Sequence, residues 1–405
     1  MQTDPLSLYI HIPFCSRKCG YCSFLVIADG IRGISDQIKD MYTKQLVDEI
    51  IESSSIYMHR PLHTIYIGGG TPTLLWAQRL DQIIQTIYDH YQTDKIVELS
   101  IECNPDLSEH VIETISIIQS HYTNLPRIRW SIGIQTLDNE ILSEAWRWYK
   151  SQTLWDFFYQ LKNLRQDHTS YNIDMIAFGK LQGWLPRNAQ SRSYRIEQLQ
   201  SWLRDHCSAY TLELFEWSQR YHQLTQGAQV DQIKNKLGHG LKKYGDDEQV
   251  YIEFEYLCQS LINHGYHRYE LSNFAKNNHK SIHNQVYRHY GDYLWLWLGS
   301  SSKIGHDRRS NTRILGHYLK WIRQDPQTIL HLSQTDYLQE QFFLALRTDQ
   351  WLTHIGNYET ILEANRYDRI TEYQSGGYVV YDHDCLRLTH RGMDIYNHII
   401  TDLMR

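Results

Sequence analysis

Residues 8–22 read Leu8-Tyr9-Ile10-His11-Ile12-Pro13-Phe14-Cys15-Ser16-Arg17-Lys18-Cys19-Gly20-Tyr21-Cys22. The apolar run at the start predicts a β-strand, and three cysteines follow it in one short loop at C-x3-C-x2-C spacing. Three thiolates from one loop form a soft ligand set suited to an iron–sulfur cluster. A [4Fe–4S] cluster has four irons, so three cysteines leave one iron open to an outside ligand, the centre of any chemistry. A structural zinc site asks for a fourth Cys or His at finger-like spacing. His11 is near but points along the strand, and no second C-x2-C pair follows. A disulfide sits poorly in a chain with seven cysteines, no signal peptide and no apolar run of transmembrane length, which reads as cytoplasmic. A thioredoxin-type C-x2-C would leave Cys15 unexplained. Spacing alone favours the cluster and keeps zinc as the alternative.

Working outward, a strand-then-helix unit recurs. Strands are predicted at Leu8–Ile12, His63–Ile67, Ile96–Ile101, Ile128–Ile134, Tyr171–Ala177 and Tyr210–Leu214. One intervening helix is apolar at Ile38, Met41, Leu46, Val47, Ile50 and Ile51, the next at Leu80, Ile83, Ile84, Ile87 and Tyr91. Six such repeats predict an α/β fold, an incomplete parallel (β/α)6 barrel over residues 1–216. A doubly wound open sheet is the alternative. Residues 217–248 are polar and Gly-punctuated, and read as a linking or covering segment. Residues 249–405 read as a helical, winged-helix-like C-terminal domain. It has a helix at Gln249–His264 capped by Asp247, a helical run from Gln339, a hairpin around Gly376-Gly377 and a last helix near Arg405. A net charge of −6 over 405 residues gives no basic footprint, so nucleic acid is not an expected partner.

In a parallel α/β sheet, functional side chains gather at the C-terminal ends of the strands. Five segments obey this. The cysteine loop follows the first strand, and Gly68-Gly69-Gly70-Thr71-Pro72-Thr73 follows the second. Glu102 ends the third, Gln135 ends the fourth, and Asp174 interrupts the fifth. A Gly run lets backbone approach a ligand closely. Glu102 and Asp174 accept hydrogen bonds from ribose hydroxyls or an amino group, and Gln135 and Arg147 offer donors to a carboxylate or sugar. The set suits a charged amino-acid nucleoside such as S-adenosylmethionine, whose amino and carboxylate groups can chelate the open iron and whose cleavage by an electron is cofactor chemistry.

With these residues in place the chain resembles the radical S-adenosylmethionine family. Within it, the chain resembles the group that holds oxygen-independent coproporphyrinogen III oxidase-like proteins and the haem chaperone HemW. The resemblance runs from YIHIPFCSRKCGYCSF through GGGTPT, IECNPD, IGIQTLDNEIL and NIDMI. It continues through GYHRYELSNFAK, HNQVY, GDYL and SNTR to FFLALRT and LRLTHRG. It implies that Cys15, Cys19 and Cys22 ligate a [4Fe–4S] cluster. It also implies that Tyr9, Tyr21, Gly69, Gly70, Thr71, Glu102, Gln135, Arg147 and Asp174 contact S-adenosylmethionine. His283, in HN-x-x-Y, is the residue it implies as a haem ligand.

One position separates the branches of the group. The coproporphyrinogen branch carries a further Cys two residues after the third, where this chain has Phe24. The resemblance therefore implies a haem chaperone-like protein that binds cluster, S-adenosylmethionine and haem or another tetrapyrrole, and passes haem to an unidentified acceptor protein. Oxidation of coproporphyrinogen III is the alternative that Phe24 argues against, so enzymatic activity stays open. The chain departs from the chaperone pattern at Arg288, where Trp is expected, and at Ser301, where His is expected. A divergent relative that has lost haem transfer is the third reading.

Overall fold

The computed structural model describes residues 4–28, 34–105, 108–147, 149–179, 205–213, 247–319 and 328–404. Alternation of polar and apolar residues builds the centre of the fold. Strands β1 (Leu6–Ile12), β2 (Leu62–Gly69), β3 (Glu98–Cys103), β4 (Ile128–Gln135), β5 (Thr169–Ala177) and β6 (His206–Thr211) lie side by side in that order. All five pairings are parallel. Side chains on a strand alternate between faces. The registers place Leu8, Ile65, Leu99 and Ile128 in one lateral row, and that face packs on the connecting helices α1 (Asp36–Tyr57), α2 (Trp76–His90), α3 (Ser108–His121), α4 (Asn139–Glu144) and α5 (Ser151–Asn163). The other face carries Tyr9, Tyr66, Ser100 and Arg129 in one row and Ser131, Asn172 and His206 in another. The concave side of this partial barrel is therefore polar along its whole width.

The six strands match the predicted order. The sixth lies earlier in the chain than the expected Tyr210–Leu214, because its buried start is polar. His206 Nε2 meets the Tyr269 hydroxyl at 2.7 Å, and Ser208 Oγ donates to Asn172 Oδ1 at 3.1 Å. The sheet is also wider than the six-strand reading. Short strands β7 (His267–Arg268) and β8 (Asn273–Ala275) extend the β6 edge antiparallel. On the other edge β9 (Tyr293–Leu296) adds parallel to β1, followed by antiparallel β10 (Ser301–Ile304), β11 (Asp307–Ser310) and β12 (Thr328–His331). The sheet is mixed, with twelve strands among the described residues.

Helix α1 corrects one reading. Its buried face is Lys39, Tyr42, Thr43, Leu46, Glu49, Ile50, Ser54 and Tyr57, while Ile38, Met41 and Ile51 are exposed. Glu49 belongs inside because Asn311 Nδ2 and the Tyr318 hydroxyl donate to it at 3.0 and 2.7 Å. Helix α2 buries Leu80, Ile83, Ile84 and Ile87 as expected.

Nearly all of the segment 217–248 lies outside the described residues. Beyond it come helices α6 (Asp247–Asn263), α7 (Ile282–Arg288), α8 (Leu315–Leu319), α9 (Gln334–Ala345), α10 (Arg366–Ser375), α11 (His390–Asp394) and α12 (Tyr396–Leu403). A second apolar core gathers Phe342, Leu352, Ile370, Leu386 and Ile399 around the small antiparallel sheet of Leu352–Thr353, Cys385–Leu388 and Val379–Asp382. The hairpin there does not turn at Gly376-Gly377, which ends α10. It turns at His383-Asp384, both in the left-handed region at φ 46° and 62°, the geometry that matches strand twist in two-residue hairpins.

Helix α7 is docked by a carboxylate from another element. Glu98 on β3 is fully buried. It accepts the backbone amides of Ile282 and His283, each at 3.1 Å, and the Ser100 hydroxyl at 3.1 Å. Ser281 caps the same turn by accepting from Asn284 N at 3.3 Å. Glu98→Ala is expected to destabilise the chain by about 2–3 kcal/mol, the cost of two buried amides left without an acceptor, whereas Glu98→Gln keeps one acceptor and loses less. Urea unfolding checks this; a Glu98→Ala protein as stable as wild type would remove the docking role.

Candidate functional site

The cysteine loop is anchored at both ends. After β1 the chain pairs Phe14–Cys15 with Ile27–Ala28 in parallel, and Ile27 N donates to Pro13 O at 2.7 Å. Inside the loop Cys22 N donates to Cys19 O at 3.1 Å. The glycine run is laced to the same place, with Gly70 N on Ile12 O at 2.8 Å and Thr71 N on Phe14 O at 2.7 Å. A Cβ on Gly70 would meet Phe14 O at 2.6 Å, and Gly69 has φ +107° with the His11 ring 2.3 Å from where its Cβ would lie. These glycines let the second strand end approach the first, which the sequence reading had assigned to ligand approach.

One cavity of about 640 Å³ runs along the C-terminal strand ends. Its lining includes Cys15, Cys19, Tyr21, Cys22, Gly69, Gly70, Glu102, Gln135, Arg147 and Asp174, with the exposed Phe24 at its rim. Thus ten of the residues singled out in the sequence share one space. Burial pushes the Cys15 thiol up to about 12, against the opposing hydrogen bond of the Thr71 hydroxyl 3.7 Å from its sulfur. Burial also raises the Cys22 thiol. No group of three His, Cys, Asp or Glu side chains among the described residues is arranged around a single metal-ion position.

Glu102 accepts the Tyr66 hydroxyl at 2.7 Å and Gly69 N at 3.0 Å. Burial pushes it up to about 7; Tyr66 and Gly69 oppose the rise and the neighbouring Asp174 adds to it. Asp174 accepts Asn172 Nδ2 at 2.8 Å and the Ser131 hydroxyl at 3.2 Å, and burial raises it too. Gln135 sits at φ 64° beside a register shift between β4 and β5. Arg147 donates to Asn104 Oδ1 at 3.0 Å and to the Tyr21 hydroxyl at 2.9 Å, while its buried Nε has no partner among the described residues. Asn104 in turn donates to Thr71 Oγ1 at 2.7 Å, so it couples the arginine to the threonine beside Cys15. Asn104 and Arg129 were missed in the sequence, although Asn104 follows Glu102 by two residues and Arg129 is a charge inside a predicted strand.

Three expected site residues stand apart from the cavity wall. Thr71 lies one layer behind it. Tyr9 is buried, stacks on Tyr66 with centroids 5.7 Å apart, and places its hydroxyl 3.2 Å from His11 Nδ1. His283 is 0% exposed. Its Nδ1 meets Thr64 Oγ1 at 2.7 Å and its Nε2 meets the Tyr287 hydroxyl at 2.6 Å. Thr64 gives its own proton to Ser7, so Nδ1 is the donor and Nε2 accepts from Tyr287. Burial lowers the imidazole to about 3 and keeps it neutral. The resemblance implies a haem ligand at His283; in this structure both of its nitrogens are engaged inside the protein.

The Glu102 shift gives a pH dependence with a defined sign. Between the ordinary value of 4.5 and about 7 the folded chain keeps a proton there that the unfolded chain has lost. Stability from this group is full at low pH and falls as pH rises through that window. Glu102→Gln is expected to flatten the fall in unfolding free energy between about pH 5 and 7, measured by urea unfolding; an unchanged slope would show that Glu102 titrates as a solvated carboxylate.

Comparison with known proteins agrees with this geometry. The sequence model of the Radical SAM superfamily matches residues 9–178. The chain is 27% identical over 404 residues to the heme chaperone HemW of Lactococcus lactis subsp. lactis, covering 98% of this chain and 97% of that one. It is 28% identical over 346 residues to the heme chaperone HemW of Bacillus subtilis, covering 84% and 83%. Among solved structures, coproporphyrinogen III oxidase (HemN) of Escherichia coli superposes with a TM-score of 0.75 at 18% identity, over 99% of this chain and 90% of that one. The chain carries a radical SAM domain, and its α/β fold is the fold of that superfamily.

Proposed function

We propose that Cys15, Cys19 and Cys22 hold a [4Fe–4S] cluster, and that S-adenosylmethionine lies against Tyr21, Gly69, Gly70, Glu102, Gln135, Arg147 and Asp174, with Tyr9 and Thr71 as supporting neighbours. The protein is a haem chaperone-like binder that passes haem to an acceptor protein. The observation that carries the reading is the common cavity: cysteine loop, glycine run and both carboxylates open into one space that continues to helix α7. The residues fit these groups. Cys15 is too buried to ionise alone, and a cluster supplies the positive charge that keeps such a thiol deprotonated. The unpartnered Arg147 Nε gives the cavity a buried donor. With both groups bound, the site supplies one-electron reductive cleavage chemistry. The chain's own part is to bind and orient: Glu102 and Asp174 accept donors, and Tyr66 and Asn172 hold their carboxylates in place.

The relatives named heme chaperones support haem as cargo. No described helix is long and apolar enough to cross a membrane. His283 takes a structural part in this proposal, because its Nδ1 bond to Thr64 holds α7 against β2 while its Nε2 bond to Tyr287 stays within the helix.

Anaerobic reconstitution is expected to load close to four irons per chain (roughly one [4Fe–4S] cluster), and Cys15→Ala, Cys19→Ala or Cys22→Ala to abolish loading. Haemin titrated into the reconstituted protein is expected to bind, read at the Soret band, with no conversion of coproporphyrinogen III. His283→Ala is expected to lower the melting temperature without changing the haem ligand spectrum. Full iron content in a Cys15→Ala protein would overturn the cluster assignment, and catalytic turnover of coproporphyrinogen III would overturn the chaperone reading.

A further inference from the structure

The cavity has a second end, away from the cysteine loop, where Glu270, Asn273, Asn284, Arg288 and Arg347 line it. Glu270 is 1% exposed. Its Oε2 accepts Asn273 Nδ2 at 3.0 Å and Arg288 Nε at 3.1 Å. Its Oε1, Asn273 Oδ1 and Arg347 Nε are buried without a partner among the described residues. Arg347 Nε is thus a buried donor left for an acceptor on a bound group, whereas Glu270 Oε1 and Asn273 Oδ1 are acceptors that a ligand N–H or a water would complete.

Arg347 is fixed in position. Its carbonyl accepts Leu271 N at 3.0 Å, the neighbouring Thr348 bridges Glu270, and its guanidinium lies 5.1 Å from the Tyr396 ring centre. The charges do not cancel. Arg288 shares Glu270, and no described carboxylate comes within ion-pair range of Arg347. An enclosed cationic end with planar donors is complementary to a carboxylate.

We propose that Arg288 and Arg347 form a carboxylate-binding subsite that grips the propionate of a flat tetrapyrrole, with Glu270 orienting Arg288 for it. The inference rests on the haem reading above and adds the group that is recognised. Haemin and haemin dimethyl ester, which differ in free carboxylates alone, are titrated into the reconstituted full-length protein and into Arg288→Gln, Arg347→Gln and Arg288→Lys. Wild type is expected to favour the free acid by about tenfold, the scale of a charge-assisted hydrogen bond. Each Gln variant is expected to lose that preference while binding the ester as wild type does, and Arg288→Lys to keep part of it. Because the acid-to-ester ratio is read within one protein, partial loss of folded material does not disguise the result. Equal affinity of wild type for acid and ester, or Gln variants that weaken both probes equally, overturns the subsite and leaves the haem reading standing. Failure of wild type to bind either probe overturns both.

Discussion

One buried carboxylate ties the two halves of the site together. Glu98 sits on β3, and four residues further along the same face of that strand lies Glu102. The first carboxylate takes the opening amides of α7, and the second faces the cavity. A segment from late in the chain is thereby held against the N-terminal start of β3, at the opposite end of the strand from Glu102. Residues Asn284 and Arg288 reach the cavity because α7 begins where Glu98 accepts its amides. A buried carboxylate is costly unless its oxygens are occupied, so the strand and the helix need each other.

The same logic extends across the sheet. Strands of a parallel sheet covered on both faces are usually apolar throughout. Here each strand presents polar groups inward, and residues two positions out of register or two apart on one strand satisfy one another: Tyr66 with Glu102, Ser131 and Asn172 with Asp174, Ser208 with Asn172. These networks leave few polar atoms loose on the concave side. The exceptions, Arg129 Nε, Arg147 Nε and the acceptors around Glu270, belong to residues that line the cavity. Other buried unpartnered atoms, such as Thr43 Oγ1, Trp297 Nε1 and Arg309 Nε, lie away from the cavity among the described residues.

Much of this was legible in the sequence because its signals are local. A cysteine loop after an apolar run, a glycine run, and polar residues at the ends of Glu102-, Gln135- and Asp174-bearing strands can be read within a dozen residues. What stayed hidden depends on partners distant in sequence. Glu49 in α1 looks like a surface residue until Asn311 and Tyr318 arrive beside it. His206 looks like a loop residue until Tyr269 does. The liganding look of His283 came from its motif, whereas its hydrogen bond to Thr64 comes from the fold. The turn at His383-Asp384 was obscured by a nearby Gly-Gly pair with the stronger turn chemistry.

The pairing of β1 with β9, in which Ser7 lies opposite Tyr293, bears on how the chain is made. Strand β1 leaves the ribosome well before its outer neighbour β9, whose partner residue Tyr293 lies 286 positions after Ser7 (293 − 7). Until then its edge amides and carbonyls are open, with Leu6, Leu8, Ile10 and Ile12 along one face. Contacts this distant in sequence are slow to form and leave an aggregation-prone edge meanwhile. The cysteine loop hangs from that strand, so a nascent chain displays its thiols to oxidants well before the sheet is complete. Closing the sheet before those thiols oxidise is the kinetic race that this topology sets.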